Sequence, residues 1–441
     1  MTQRGFAAVP ELPRYVLANA TVPGVLLADA WSERDAEGLC AVDIVVAEGR
    51  IEAIAPAGSV TGVARLDLDA GMVWPAFVDM HTHLDKGHIW PRRPNPDGTF
   101  MGALGAVAAD RAANWSAGDV RRRMEFALRS AFAHGTAVIR THLDSAAPQH
   151  RISWPVFAEA RDAWAGRIDL QAVSIVSIEE YRDDAYVDDL VATVVAHGGV
   201  LGAVTYMVPD LGPLVEKVFR RAAEAGLDLD FHVDETGDPA AHSLRVIADT
   251  AIRLGFTGRI VAGHCCSLAV QPAEEAEATM ERVAEAGIAV VSLPMCNMYL
   301  QDRHAGRTPR WRGVTLIHEL MANDVAVAVA SDNTRDPFYA YGDLDMLEVF
   351  REAVRIIQLD HPVSSWAALV ARAPAAIVGR ADRGVIGEGR EADLVLFRAR
   401  TWTELLARPQ SDRTVIRNGS AIDRALPDYR ELDDILRSPS S

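Results

Sequence analysis

The sequence predicts an α/β chain built on a (β/α)8 barrel of TIM type, with a small β-sandwich contributed by both termini. Three observations predict it. Short apolar runs alternate with helical stretches through the middle of the chain, several of those runs end in His, Asp or Glu, and β-rich segments lacking such endings occupy both ends.

The 441 residues are too many for one small core and suit a large barrel with an accessory domain. The expected boundaries are residues 1–70 for the N-terminal part of the sandwich, 71–375 for the barrel, and 376–441 for the C-terminal part and tail. Residues 15–68 hold β-rich runs such as Tyr15-Val16-Leu17 and Ala41–Ala47, with a hairpin turn expected at Glu48-Gly49-Arg50-Ile51. Matching runs return as Ala392–Phe397 and Thr414–Gly419.

Eight strand candidates follow one another in the middle: Met72–His83, Ala137–Asp144, Asp169–Val176, Leu201–Val208, Asp228–Glu235, Arg259–Cys265, Ala289–Pro294 and Val325–Asp332. Alternation along several of them is weak, as expected of strands covered on both faces. An open doubly wound sheet fits the same pattern, but no Gly-x-Gly-x-x-Gly follows a first strand to mark a nucleotide fold.

A formal charge of −17 argues against a polyanionic partner, because nucleic-acid binding requires a concentrated basic surface. Met1–Arg14 carry no basic segment with a long apolar run, and no stretch of about 18 apolar residues is available to cross a bilayer. A cytoplasmic protein without a membrane partner is the expectation. Four cysteines in a chain of this length make no disulfide framework, and buried free thiols are expected.

In a barrel of this type the reactive groups sit at the carboxyl ends of the strands. The first candidate strand ends His81-Thr82-His83, whose imidazoles project to one side of an extended chain and can share an ion. The fifth ends His232-Val233-Asp234-Glu235, the sixth contains His264, and the eighth ends Ser331-Asp332-Asn333. Imidazole and carboxylate donors suit one divalent zinc or iron(II) ion. His142 closes the second strand, where it can orient a ligand or line the pocket.

With these residues in view, the chain resembles the cytosine deaminases of the metal-dependent amidohydrolase superfamily. The resemblance rests on His81-Thr82-His83-Leu84-Asp85, Arg140–Asp144, His232–Glu235, Asn297-Met298-Tyr299-Leu300-Gln301 and Asp332–Phe338. It implies that His81, His83, His232 and Asp332 hold one divalent metal, with Glu235, His264 and Asp332 as catalytic groups. It also implies a homo-oligomer and a small heterocyclic substrate that loses its amino group as ammonia. In that scheme Asp332 takes the proton of the attacking water, His264 polarises it, and Glu235 protonates the ring.

Binuclear relatives carry a modified lysine on the fourth strand, but Val204–Pro209 contains none. Lys86, on the first strand, is expected to pair with a carboxylate or to shape the pocket mouth. Asp85 is expected to cap a helix or support a ligand, and Asp234 to point away from the site. The family's pocket residues are changed: Ser177 stands where a glutamine grips cytosine, Asn333 replaces an aspartate, Phe338 a tryptophan and Phe100 a leucine. The resemblance therefore implies a preserved reaction on cytosine or a related ring, the alternatives being isocytosine, a pterin, a triazine or a creatinine-like heterocycle. A cyclic-amide hydrolase and a non-catalytic scaffold are the readings from outside deaminase chemistry.

Overall fold

The computed structural model describes residues 5–436, so Met1–Arg4 of the segment judged to lack a leader lie outside it. The fold is mixed α/β and falls into two compact units. One comprises residues 1–79, 129–138 and 344–427; the other comprises 80–128, 139–343 and 428–441.

In the first unit, strands from both ends of the chain share one eight-stranded sheet. Leu394–Phe397 lies antiparallel to Met72–Pro75, which neighbours Arg14–Pro23, which in turn pairs with Leu39–Ala47. Ala47 faces Arg50 across the two-residue turn Glu48-Gly49, whose φ values of 49° and 77° are those of a hairpin with matching twist. A buried cluster including Leu17, Ile44, Ile51, Val73, Leu394 and Ile416 removes the apolar face of this sheet from water.

The parallel strands form two hydrogen-bonded groups. Phe77–Thr82, Thr136–Asp144 and Asp169–Ile175 are neighbours in one; Leu201–Thr205, Leu229–Val233, Ile260–His264, Ile288–Ser292 and Val327–Val329 follow one another in the other. Parallel bridges join Val173 to Val200, Ser177 to Val204 and Thr82 to Asp332. The strand interiors are buried on both faces, which accounts for their weak alternation.

Intervening helices pack through one apolar stripe. In Leu211–Ala225 the buried residues Leu211, Leu214, Val215, Val218, Phe219 and Ala222 recur at helical spacing. Gly226 ends that helix at φ 65°, where a residue with a Cβ would be strained, and its amide reaches back to Ala222 and Ala223.

The expected run Met72–His83 is corrected to two strands in different sheets. Pro75 has no amide to extend the first. The Ala76 amide then donates to Asp393 at 2.8 Å, while that of Phe77 donates to Gly135 at 3.0 Å, so the chain changes partners between adjacent residues. Several later strands stop short of the expected ends. His264 and Asp332 adopt φ of 69° and 62°, and the Asp332 amide donates to the His81 carbonyl at 2.8 Å. Left-handed backbone at non-glycine residues costs on the order of 1 kcal/mol, and here it re-aims two ionisable side chains at the strand ends.

Among the described residues no helix is long and apolar enough to cross a membrane. All four cysteines are buried free thiols.

Candidate active site

Four residues contributed by three strand ends meet in the second unit. His81 Nε2 lies 3.1 Å from His232 Nε2, which lies 3.4 Å from His83 Nε2. His83 Nε2 is 3.1 Å and His81 Nε2 3.8 Å from Asp332 Oδ1. Gly263 makes room for this approach, since a Cβ there would stand 2.9 Å from the His81 ring. The three imidazoles are buried, and burial followed by the charge of neighbouring imidazoles and Lys86 holds their pKa values well below the ordinary histidine range. They are neutral at pH 7, with lone pairs to share.

These separations suit a metal. Donors about 2.0–2.2 Å from a tetrahedral ion stand roughly 3.3–3.6 Å apart. Both Asp332 carboxylate oxygens are buried without a hydrogen-bond partner, a state whose cost a cation would offset. His264 also lies close enough to complete a set with His81, His232 and Asp332, whose donor atoms all fall within 4.8 Å of one another.

A second group adjoins the first. Asn297 donates from Nδ2 to His264 Nδ1 at 2.9 Å and to Glu235 Oε1 at 3.1 Å, and His264 Nδ1 is 3.5 Å from the same carboxylate oxygen. Gln301 holds the Glu235 carbonyl at 3.1 Å. Burial first, then the charge of Asp332, pushes the Glu235 carboxyl well above the usual carboxylate range, while burial brings His264 down to about 4. Next to it Asp234 turns the other way, its φ of 46° aiming the carboxylate at the Leu244 amide, 3.1 Å away, at the start of helix Ser243–Leu254.

Other expected residues fall into four places. His142 stacks on His81 at 3.9 Å between ring centroids and contacts Asp230 at 3.3 Å. Asn333 donates to Asp336 Oδ2 at 2.8 Å and accepts from Cys296, and Phe338 lies between the Phe100 ring, 5.5 Å away, and the Lys86 ammonium, 4.7 Å from its centroid. The Ser177 hydroxyl lies within 2.8 Å of the Tyr206 phenol and accepts from the Glu179 amide. Asp85 caps no helix; it accepts from the Asp144 amide and the Ser153 hydroxyl.

Sequence reasoning assigned no role to Asp230, Asn297 or Asp336. Asp230 was within reach of it, since period two along the fifth strand puts it on the same face as His232. Asn297 lay in a quoted motif without a stated partner. Asp336 likewise lay in the run Asp332–Phe338 without a stated role; burial raises its carboxyl to about 6 against the opposing effects of Lys86, Asn333 and two amides.

A family model described as the amidohydrolase family matches residues 185–423. A pterin deaminase of Rhizobium rhizogenes (strain K84 / ATCC BAA-868) is 60% identical over 432 residues, covering 98% of this chain and 99% of that one. The chain belongs to the amidohydrolase family. It lies within the metal-dependent superfamily and is a hydrolase of C–N bonds other than peptide bonds. A 5-methylcytosine deaminase structure from Klebsiella pneumoniae aligns with a TM-score of 0.79 at 23% identity, over 92% of this chain and 97% of that one. An N-isopropylammelide isopropylaminohydrolase from Burkholderia multivorans ATCC 17616 aligns at 0.75 and 24%, over 94% and 100%. Both likenesses speak to the fold.

Proposed function

We propose that this amidohydrolase is a pterin deaminase: water replaces the amino group of a 2-amino-4-oxopteridine, the C–N bond breaks and ammonia leaves. The observation that carries the deaminase chemistry is the raised carboxyl of Glu235, joined through Asn297 to His264 beside the imidazole cluster. The pterin ring follows from the 60% identity to the Rhizobium enzyme along almost the whole chain. Replacement of the cytosine-gripping groups by Ser177 and Asn333 agrees with a ring other than cytosine.

The parallel bridges support a single closed (β/α)8 barrel, with the sheet from both termini as a separate small domain. One divalent ion, zinc or iron(II), fits the donor set of His81, His83, His232 and Asp332. Bound there, it would bring the pKa of a water toward neutrality. Because Asn297 donates to Nδ1 of His264, the neutral ring keeps its proton on Nε2, which suits hydrogen bonding to the attacking oxygen better than ligation. Asp332 would take one proton of the attacking water. Glu235, its carboxyl held well above the usual carboxylate range, delivers its proton to the ring nitrogen, takes up the hydroxyl proton of the adduct as the carbonyl forms, and passes it to the departing amine; the water proton held by Asp332 then restores Glu235.

The test is ammonia release by the metal-replete protein on 2-amino-4-oxopteridine and on cytosine, beside Glu235→Gln. The pterin should be the better substrate, and Glu235→Gln should retain the ion while losing about 100-fold or more in turnover. Faster cytosine turnover would overturn the pterin assignment, and near-normal turnover by Glu235→Gln would remove that residue from proton transfer.

A further inference from the structure

Lys86 is the one group of the first-strand motif that the chemistry above leaves without a task. Its side chain is only 6% exposed. Its backbone amide folds back onto the His83 carbonyl at 3.4 Å, and its ammonium stands 4.7 Å from the Phe338 centroid. Among the described residues Nζ makes no hydrogen bond and no ion pair. The expected carboxylate pairing is therefore not made at contact distance, although the lysine charge acts on Glu235, Asp336, Asp85, His83, His232 and His264.

An ammonium on a side chain this enclosed, with only the Phe338 ring against it and no hydrogen bond, is placed to meet a ligand in the adjoining site. The surroundings limit what that ligand presents. The ammonium stands over the Phe338 ring, which Phe100 meets edge-on at 70°, so apolar rings close one side of Nζ and leave its donors for a polar group on the other. The imidazole cluster and Glu235 lie on the same strand-end surface, so a ring seated there offers the carbon under attack and its neighbouring atoms to this group of residues.

We propose that Lys86 is a substrate-contacting residue whose ammonium donates a hydrogen bond to the ring carbonyl conjugated with the carbon under attack. The inference rests on the heterocyclic deaminase reading. When the water oxygen bonds to the amino-bearing carbon, the displaced electron pair moves to the adjacent ring nitrogen and through the amide onto the carbonyl oxygen. Negative charge therefore grows opposite the ammonium as the bond forms, and returns to the ring as ammonia departs. A donor placed there stabilises the transition state more than the ground state. Lys86 then acts on kcat as well as on binding.

Two rings and two variants test this. 2-Amino-4-oxopteridine carries the carbonyl and 2-aminopteridine lacks it; Lys86→Met keeps the length of the side chain and removes the donor, while Lys86→Arg keeps a cation. For Lys86→Met, kcat/KM should fall about 100-fold on the oxo ring, mostly in kcat, and no more than about threefold on the oxo-free ring, with Lys86→Arg in between. Metal content and thermal stability are read on each variant, and calorimetry measures binding of both rings to native protein and to Lys86→Met. A preference of the native protein for the oxo ring that disappears in Lys86→Met supports the contact. Equal losses on the two rings, or losses that track metal content, overturn it in favour of a counter-ion for Asp336 and Glu235. Absence of ammonia from either ring with native protein would refute the deaminase reading instead, and the binding comparison would still decide the role of Lys86.

Discussion

Asn297 donates to Nδ1 of His264 across 2.9 Å, so the tautomer of this buried imidazole is set by a side chain from a different strand-end segment. Replacing Asn297 by Asp reverses the polarity of the contact: a carboxylate accepts, Nδ1 becomes the donor, and Nε2 loses its proton. Turnover should fall about 100-fold or more, with the ion retained, since one preorganised donor at a reacting oxygen is worth that much. A pH–rate profile and metal analysis on the same preparation check it. Full activity in Asn297→Asp would show that the His264 proton is not needed on Nε2.

The two candidate ligand sets differ in one residue, His83 or His264. One ion per chain is expected, held by His83 and not by His264. His83→Ala should weaken metal retention by at least about tenfold, whereas His264→Ala should keep the ion and lose turnover. Elemental analysis after dialysis against a chelator distinguishes them. The reverse pattern would move His264 into the ligand set.

Stability should depend on acid through Asp345. Burial alone would raise its carboxyl pKa, but the Arg413 charge, paired at 2.7 Å on both oxygens, outweighs this with help from His134 and the Leu347 amide, and holds it well below the usual carboxylate range. A depressed folded-state pKa stabilises above the unfolded value of about 3.9 and loses that contribution as pH falls below it. Asp345→Asn should cost about 3 kcal/mol at pH 7, because Arg413 is left buried without its counter-charge, and less at pH 3. Denaturant midpoints at the two pH values measure this. An equal cost at both would show that the ion pair contributes nothing there.

The strand-end histidines were legible because a residue at a strand terminus has few other uses: His81, His83 and His232 stand out from apolar neighbours at period two. Asn297 was not, since helix Pro294–Leu300 is too short for any periodicity to show which of its residues turns inward. The switch at Pro75 was hidden for the same reason that the strands were easy to find, an unbroken apolar run looking alike in either sheet. Counting from the third strand reached Ser177 but could not show that the Tyr206 phenol stands beside its hydroxyl, a contact made by folding two loops together.

The sheet shared by both ends of the chain has a consequence for biosynthesis. Met72–Pro75 leaves the ribosome early, but its antiparallel partner Leu394–Phe397 is made only after the intervening parallel strands. At roughly 5–20 residues per second, that edge waits for tens of seconds with its backbone groups unpaired and Val73 and Trp74 uncovered. For that interval the nascent chain offers a strand edge of the kind that pairs with other chains, so demand for a chaperone should be set by the first 80 residues and not by the metal-binding segments that follow.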